Sequence, residues 1–475
     1  MASQIDKLLK IADEPVDGAS VAFVRISFAA VMIFWLTMHI VLDKITTNYY
    51  EPSFLFPYTG FDWVQVWPGR GLHLHFLIVL VAACGMLFGV FYRFSSIVFA
   101  IGFCYIFLLD KATYQNHYYF VCLLSILFVV CPTYRGLGFD TLRLKTRQTI
   151  PRWSLWLFQF QIGLVYFFGG IAKINWDWIC GYPMVQVLET KQNHLLIGPF
   201  CTQDWFVTAF VWSGMLFDLF IVGLLLYRRT RVLGFCMCLA FHLLNASLFR
   251  IGIFPWLMIF LTTIYFSPDW PRRLLGFVFV PLKEKDVDHA PKPKFKPLLH
   301  GFLIVFVALQ TLLPLRHLLV RENTNWTERH HHFSWHMKLR GKNSAIRFYT
   351  IDEDTQKWAR FDLKPHLKLH QLFRMSRDPF MIRDFALFID EFYRAKGIEN
   401  VTVRAFALSS LNGRTPQLMI DPQVDLTQAE LPDGWIMPLE APIGGEFNVP
   451  IGEWEQVVMK DPIMEEYINK HNQLN

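Results

Sequence analysis

Charge is what this sequence has least of. Only 18% of its 475 residues are Asp, Glu, Lys or Arg, against 53% hydrophobic and 16% aromatic. A soluble chain of this length would carry more charge, so a polytopic membrane protein is indicated. Internal repeats and low-complexity tracts are missing, which argues against the duplicated architecture typical of transporters. No Gly-rich phosphate loop and no basic-aromatic surface points to nucleic acid. Residues 1–20 lack a small-residue cleavage site behind a short apolar core, so a retained signal anchor is expected in place of a removed signal peptide. Cysteine is sparse, at 84, 104, 122, 131, 180, 201, 236 and 238. Most of these fall in apolar runs, where cysteine is a small core residue. Cys236 and Cys238, two apart on a helix, point away from each other and make no metal pair. Only Cys180 and Cys201 share a polar loop, where a disulfide is open if the loop faces an oxidising compartment.

What the chain has instead is apolar runs, at 21–42, 74–91, 97–109, 118–131, 153–174, 205–227, 232–249, 253–266 and 298–320. They predict about nine transmembrane helices, with 97–109 and 253–266 short enough to be tilted or partly re-entrant. Basic residues alternate by loop. Lys7, Lys10, Arg93, Arg135, Arg143, Arg228, Arg229, Arg272 and Arg273 fall on one side, and only Lys44, Arg70, Lys111, Lys173, Lys191 and Arg250 on the other. The positive-inside rule then puts the N-terminus in the cytoplasm and, with an odd number of spans, the C-terminus outside. The expected division is a cytoplasmic segment at 1–20, a transmembrane helical catalytic domain at 21–320, and a soluble extracytoplasmic α+β domain at 321–475. A charged, Pro-rich cytoplasmic linker at 281–297 precedes the last span. In the outer domain, 345–351 and 358–363 flank an acidic turn and read as a hairpin. Asp378-Pro379 starts a helix with Phe380, Phe385, Phe388, Ile389 and Phe392 inward and Gly397 as its stop. Strands at 401–409 and 417–420 surround Asn412-Gly413.

The run 153–174 ends in Gly169, Gly170 and Lys173, with Asn175-Trp176-Asp177-Trp178 behind it. Lys173 lies about 20 residues along, roughly the depth of a hydrocarbon core. Two readings stand: a lysine snorkelling to the headgroups, or an amine held uncharged by desolvation so that it can act as a base. Other polar residues share its depth at the outer helix ends: His39 and Asp43, Asp110 and Lys111, Asn116 and His117, His242 and Asn245. Singly, His39 reads as an interface residue, Asp110-Lys111 as a structural ion pair at a loop, and His242 as a satisfied core histidine. Jointly, Lys173, His117 and His242 at one level read as acid–base chemistry in a shared pocket. The aromatics Tyr114, Trp176, Trp178, Phe249, Phe254 and Trp256 suit a flat apolar ligand. The run Arg329-His330-His331-His332 with His336 has no carboxylate or cysteine at ligand spacing, so no metal is expected.

Several of these stretches resemble vitamin K-dependent γ-glutamyl carboxylase. They are LLDKATYQNH (108–117), GIAKINWDW (170–178), FHLLN with LFRIG (241–252), SPDWPR (267–272), NWT (325–327), SW (334–335) and DPQVD (421–425), in the family's order. The resemblance implies a membrane enzyme that oxygenates vitamin K hydroquinone to its epoxide. The strong base formed on the way removes a γ-proton from a protein glutamate, and carbon dioxide adds to the carbanion. It implies that Lys173 is the base towards the hydroquinone and that His117 serves the carboxylation step. Tyr114, Asn116, Asn245, Phe254, Trp335 and Met337 would line the quinone site. The cofactors implied are vitamin K hydroquinone, oxygen and carbon dioxide, and the partners a Glu-containing polypeptide and the lipid bilayer. The chain also departs from the family. Animal members tie the membrane part to the outer domain by a disulfide, which cannot exist here because the last cysteine is Cys238. A family tyrosine important for epoxidation aligns with His331, and a usually acidic position is His336. An epoxidase that no longer carboxylates, a non-catalytic quinone- or lipid-binding protein, and a transporter remain as alternatives.

Overall fold

A computed structural model describes residues 10–139, 147–278, 287–288 and 296–472, apart from 445, 446, 448 and 459, together with Lys7. Six helices are long and apolar enough to cross a membrane: α1 (Ala19–Val41), α2 (Gly71–Phe88), α5 (Arg152–Ala172), α6 (Asp204–Leu226), α7 (Arg231–Leu248) and α9 (Pro297–Leu319). Three shorter apolar helices stand among them, α3 (Tyr92–Leu108), α4 (Asn116–Val130) and α8 (Phe254–Tyr265). The expected polytopic helical region followed by an α+β domain is therefore what the chain forms.

Burial separates hub from rim. The apolar windows of α1 and α5 are 61% and 67% buried, whereas those of α6 and α7 are 28% and 22% buried. With lipid as solvent an exposed Leu or Phe costs nothing, so α6 and α7 turn most of their surface outward while α1 and α5 fill the centre. Lys173 thus caps a central helix. At the inner end, β1 (Pro15–Asp17) pairs antiparallel with β2 (Arg147–Pro151), which pairs in parallel with β3 (Val287–Asp288). Nearby, the fully buried Arg25 of α1 donates to the carbonyls of Thr133 and Leu137. Arg272 Nε meets Asp17 Oδ1 at 3.0 Å. Gly136, at φ +118°, passes so near Gly18 that a Cβ there would lie 2.5 Å from the Gly18 carbonyl carbon.

The outer domain is a four-stranded sheet of β4 (Lys342–Asp352), β5 (Lys357–Phe361), β6 (Val401–Leu411) and β7 (Gln417–Leu418), in the order β5-β4-β6-β7. The expected hairpin forms, with Ile351 opposite Trp358. Strand β6 pairs antiparallel along the whole of β4, and Asn412 and Gly413, both at positive φ, turn the chain beyond it. Helices α10 (Leu369–Met375) and α11 (Pro379–Arg394) precede β6. Asp378 caps α11 by accepting from the backbone N–H groups of Phe380 and Met381, and Gly397 follows its end at φ +83°. Phe385 and Ile389 lie fully buried against the sheet. That core also takes in Phe56 and Ala112 from the loops between membrane helices, so the two regions share one apolar seam.

Two sequence expectations at this seam are corrected or resolved. Asp110 and Lys111 do not form a local ion pair. The Asp110 carboxylate accepts from the backbone N–H groups of Ala112 (2.9 Å) and Phe56 (3.2 Å) and from Gln371 Nε2 (3.1 Å). Lys111 turns away to Asp384 of α11 at 2.6 Å. Consecutive side chains diverge here because Asp110 is needed as the cap of a 3₁₀ turn. Cys180 and Cys201 are both free thiols, and Cys201 Sγ faces the carbonyls of Ile197 and Lys191.

Candidate active site

The glycine pair at the end of α5 explains how the site is built. A Cβ on Gly170 would come 2.9 Å from the backbone nitrogen of Leu219, so only glycine lets α6 approach this closely. A Cβ on Gly169 would come 2.9 Å from Met337 Cε. The close approach puts Asp218 of α6 beside Lys173. The two form an ion pair with the lysine 5% and the aspartate 4% exposed. Lys173 Nζ also donates to the Gly169 carbonyl at 3.1 Å and lies 5.3 Å from the centre of the Trp178 ring. Trp178 is held in turn, its indole N–H donating to the Val211 carbonyl at 3.1 Å and its backbone N–H to Asn175 Oδ1 at 3.0 Å.

The segment behind Lys173 is clamped from outside. Asp177 accepts two bonds from Arg414 (2.7 and 2.8 Å) and one from Asn412 Nδ2 (2.8 Å), all buried. A bidentate guanidinium–carboxylate pair fixes orientation as well as distance. The outer domain's Asn412-Gly413-Arg414 turn therefore holds the loop that carries Trp178.

On the other side, His117 and His242 flank one aromatic ring. The Phe254 ring centre lies 6.0 Å from that of His117 and 6.1 Å from that of His242. His242, 1% exposed, shares a hydrogen bond of 2.7 Å between Nε2 and Tyr166 Oη, and Tyr166 Oη meets Thr262 Oγ1 at 3.0 Å. Its Nδ1 is buried without a partner. The buried His117 ring makes no hydrogen bond to any described residue. Buried polar nitrogens left unpaired are costly unless something else engages them.

Tyr114 and Asn116 brace the segment bearing Met337. Tyr114 donates to Asn116 Oδ1 (2.9 Å) and accepts from the Phe333 backbone N–H (2.8 Å), while Asn116 Nδ2 donates to the His336 carbonyl (2.9 Å). Trp335 sits behind this segment, fully buried against Tyr119, with ring centres 5.3 Å apart. Asn245 is half-buried, one turn beyond His242 on α7. Of the residues singled out from sequence, Lys173 and Met337 share one wall, and His117, Phe254 and His242 form a row. Tyr114 and Asn116 act as struts, while Trp335 and Asn245 stand back.

The histidine run is half-buried at His330 and His332 and buried at His331 and His336. The His336 ring lies 5.1 Å from that of His331 and 4.7 Å from that of His317. Burial pushes His336 down to about 3 and His332 to about 4, and holds His331 well below the usual histidine range. Among the described residues no group of His, Cys, Asp or Glu is arranged to hold a metal ion.

Sequence reasoning missed Asp218, Tyr166 and Thr262. A lone carboxylate inside the apolar run of α6 was itself a signal. The outer part of α6 packs against the short helices Trp176–Ile179 and Met184–Glu189, which brings Asp218 level with Lys173. One turn beyond Asp218, Val222 lines an apolar cavity of about 460 Å³ between α5, α6 and α9, with Gly163, Phe167 and Thr311 among its walls.

Two known domains account for most of the chain. Residues 13–270 match the HTTM domain, and residues 295–442 match the vitamin K-dependent gamma-carboxylase lumenal domain. No solved structure matches. A multi-pass helical region of the first kind, followed by an extracytoplasmic domain of the second, means that the chain belongs to the vitamin K-dependent γ-carboxylase family.

Proposed function

We propose that the protein is a vitamin K-dependent γ-glutamyl carboxylase with coupled epoxidase activity. The buried Lys173–Asp218 pair at the end of α5 carries this reading. When bound, vitamin K hydroquinone with oxygen would supply the strong base that takes a γ-proton from glutamate, ending as the epoxide.

The donor set fits such a ligand. A phenolic hydroxyl needs a nearby group able to take its proton; as a neutral amine Lys173 gives its two N–H groups to the Gly169 carbonyl and the Asp218 carboxylate and keeps its lone pair for that proton. Taking it up turns a pair of one net negative charge into a net neutral ion pair, which a water-poor site tolerates far better than an isolated charge. The Met337 methyl and the Phe254 ring supply flat apolar walls, and the cavity one turn below would take an isoprenoid tail. His117 and the unpartnered Nδ1 of His242 offer neutral imidazoles for proton handling at the glutamate carbon. Tyr166 and Thr262 orient His242 by engaging its other nitrogen. The N-terminus belongs in the cytoplasm, by the basic-residue asymmetry, and the substrate in the outer compartment; in a bacterium these would be the cytoplasmic and periplasmic sides of the inner membrane.

The test is a double readout on the purified protein with vitamin K hydroquinone, oxygen, labelled bicarbonate and a Glu-containing peptide. Epoxide and incorporated label together support the reading. Epoxide without label reduces it to an epoxidase, and neither product removes it.

A further inference from the structure

A second cavity, of about 530 Å³, lies at the seam between the outer ends of α1 and α3 and the outer domain. Its floor is aromatic, with Trp35 and Phe103 buried at its base. Its charged walls are basic: Lys44 and Arg374 line it beside the imidazoles of His39 and His370, and no Asp or Glu does. These groups are not neutralised elsewhere. Among the described residues Lys44 is exposed with no acidic partner and His370 Nε2 is buried without one, while Arg374 donates to the Tyr114 carbonyl at 3.3 Å. The neighbouring acids are already engaged. Asp110 serves Ala112, Phe56 and Gln371, Asp384 pairs with Lys111, and Glu51 pairs with Lys368.

We propose that this cavity is a carboxylate-binding subsite that holds an acidic side chain of the polypeptide substrate other than the glutamate that reacts. The occupant follows from position and chemistry. Gln115 and Tyr118 line the cavity, while the residues between them, Asn116 and His117, serve the active site. An extended polypeptide reaching His117 therefore has neighbouring side chains within reach of Lys44 and Arg374. Asn48 and Gln115 offer amides that can pair with a peptide backbone. The exposed members Lys44, Thr47 and Phe373 mark a mouth on the outer face, bounded by α10, where a polypeptide would arrive. A basic cleft of this kind concentrates an anionic partner and sets its register.

The inference rests on the proposed reaction for its choice of occupant, so the experiment reads the two separately. The full-length protein is placed in phosphatidylcholine nanodiscs, and a fluorescein-labelled peptide with one target and one neighbouring glutamate is titrated against its neighbour-Glu→Gln counterpart. Wild type should prefer the Glu form by about tenfold, and Lys44→Glu, at an exposed position that the fold does not need, should abolish the preference. Arg374→Gln should reduce it independently. Equal binding of the two peptides, or a preference untouched by Lys44→Glu, overturns the proposal. So does competition confined to phosphatidylglycerol added to the disc, which would assign the site to a lipid headgroup. Epoxide formed from hydroquinone without peptide is followed in the same preparation. Its absence with charge-selective binding intact would sink the reaction and leave the subsite; the reverse would sink the subsite alone.

Discussion

Among the described residues two lysines are buried, one at the end of a membrane helix and one in the outer domain, and their surroundings are nearly the same list of parts. Lys173 has a carboxylate (Asp218), a backbone carbonyl (Gly169) and an indole face 5.3 Å away (Trp178). Lys342 has a carboxylate (Glu328 at 3.2 Å), two carbonyls (Trp326 at 2.5 Å and Arg377 at 2.6 Å) and an indole face 5.3 Å away (Trp326). The difference is a single acceptor. Three oxygens use every N–H of an ammonium, so Lys342 is saturated and can only be structural. Two oxygens leave Lys173 one position for something else. Burial, charge partner and aromatic neighbour are alike at the two lysines; completeness of hydrogen bonding is what separates them.

That contrast can be broken at several points. The largest effect is expected from Lys173→Ala, which should lower epoxide formation by about 10³-fold or more at neutral pH while the protein still folds. Full activity in this variant would end the assignment of a base. Lys342→Met should do the opposite. Activity per folded molecule stays, but unfolding becomes easier by about 3–5 kcal/mol, because Glu328 loses one of its two cationic partners in a buried site. Thermal melting beside a single-turnover assay separates the two behaviours. Asp218→Asn keeps an acceptor near Lys173 but removes the charge, so epoxidation should fall by about 10²-fold with a displaced pH–rate profile. An unchanged profile would make Asp218 a strut. His117→Ala should cut the ratio of label to epoxide by about tenfold, since it is expected to serve the carbanion and not the quinone. Equal loss of both products would make it a positioning residue.

The smallest effect concerns pH and the saturated region. His332 and His336 are held at about 4 and about 3 by burial, below the unfolded value of about 6.5. Their neutral forms contribute stability that is fully present above pH 6.5. It is lost as pH falls towards 4, because the unfolded chain takes up protons that the fold refuses. The thermal midpoint should drop by about 2–5 °C across that window. A midpoint that is flat from pH 6.5 to 4 would show these rings to be solvated.

Much of this was legible beforehand. The apolar runs marked every membrane helix, since length and hydropathy are properties of a single segment. Asp378-Pro379 and Gly397 marked the ends of α11, and Asn412-Gly413 the turn after β6, because capping and turn chemistry are local. Lys173, His117 and His242 stood out as ionisable groups in apolar surroundings. Partners were harder. Asp110 and Lys111 are adjacent in the chain and still answer to Gln371 and Asp384, hundreds of residues away. Asp177 looked like one residue of an Asn-Trp-Asp-Trp motif and proved to be the anchor for Arg414. That buried pair ties the segment behind Lys173 to the outer domain.

Composition and spacing alone determined that this is a many-helix membrane protein with an α+β domain at its end. That follows from transfer free energy and local backbone preference, which each segment carries by itself. Only the tertiary structure decided that Lys173 pairs with Asp218, that Phe254 stands between two histidines, and that Lys342 has three oxygen acceptors. These are contacts between segments, set by how closely glycines 169 and 170 let two helices approach, and no single stretch of sequence contains that distance.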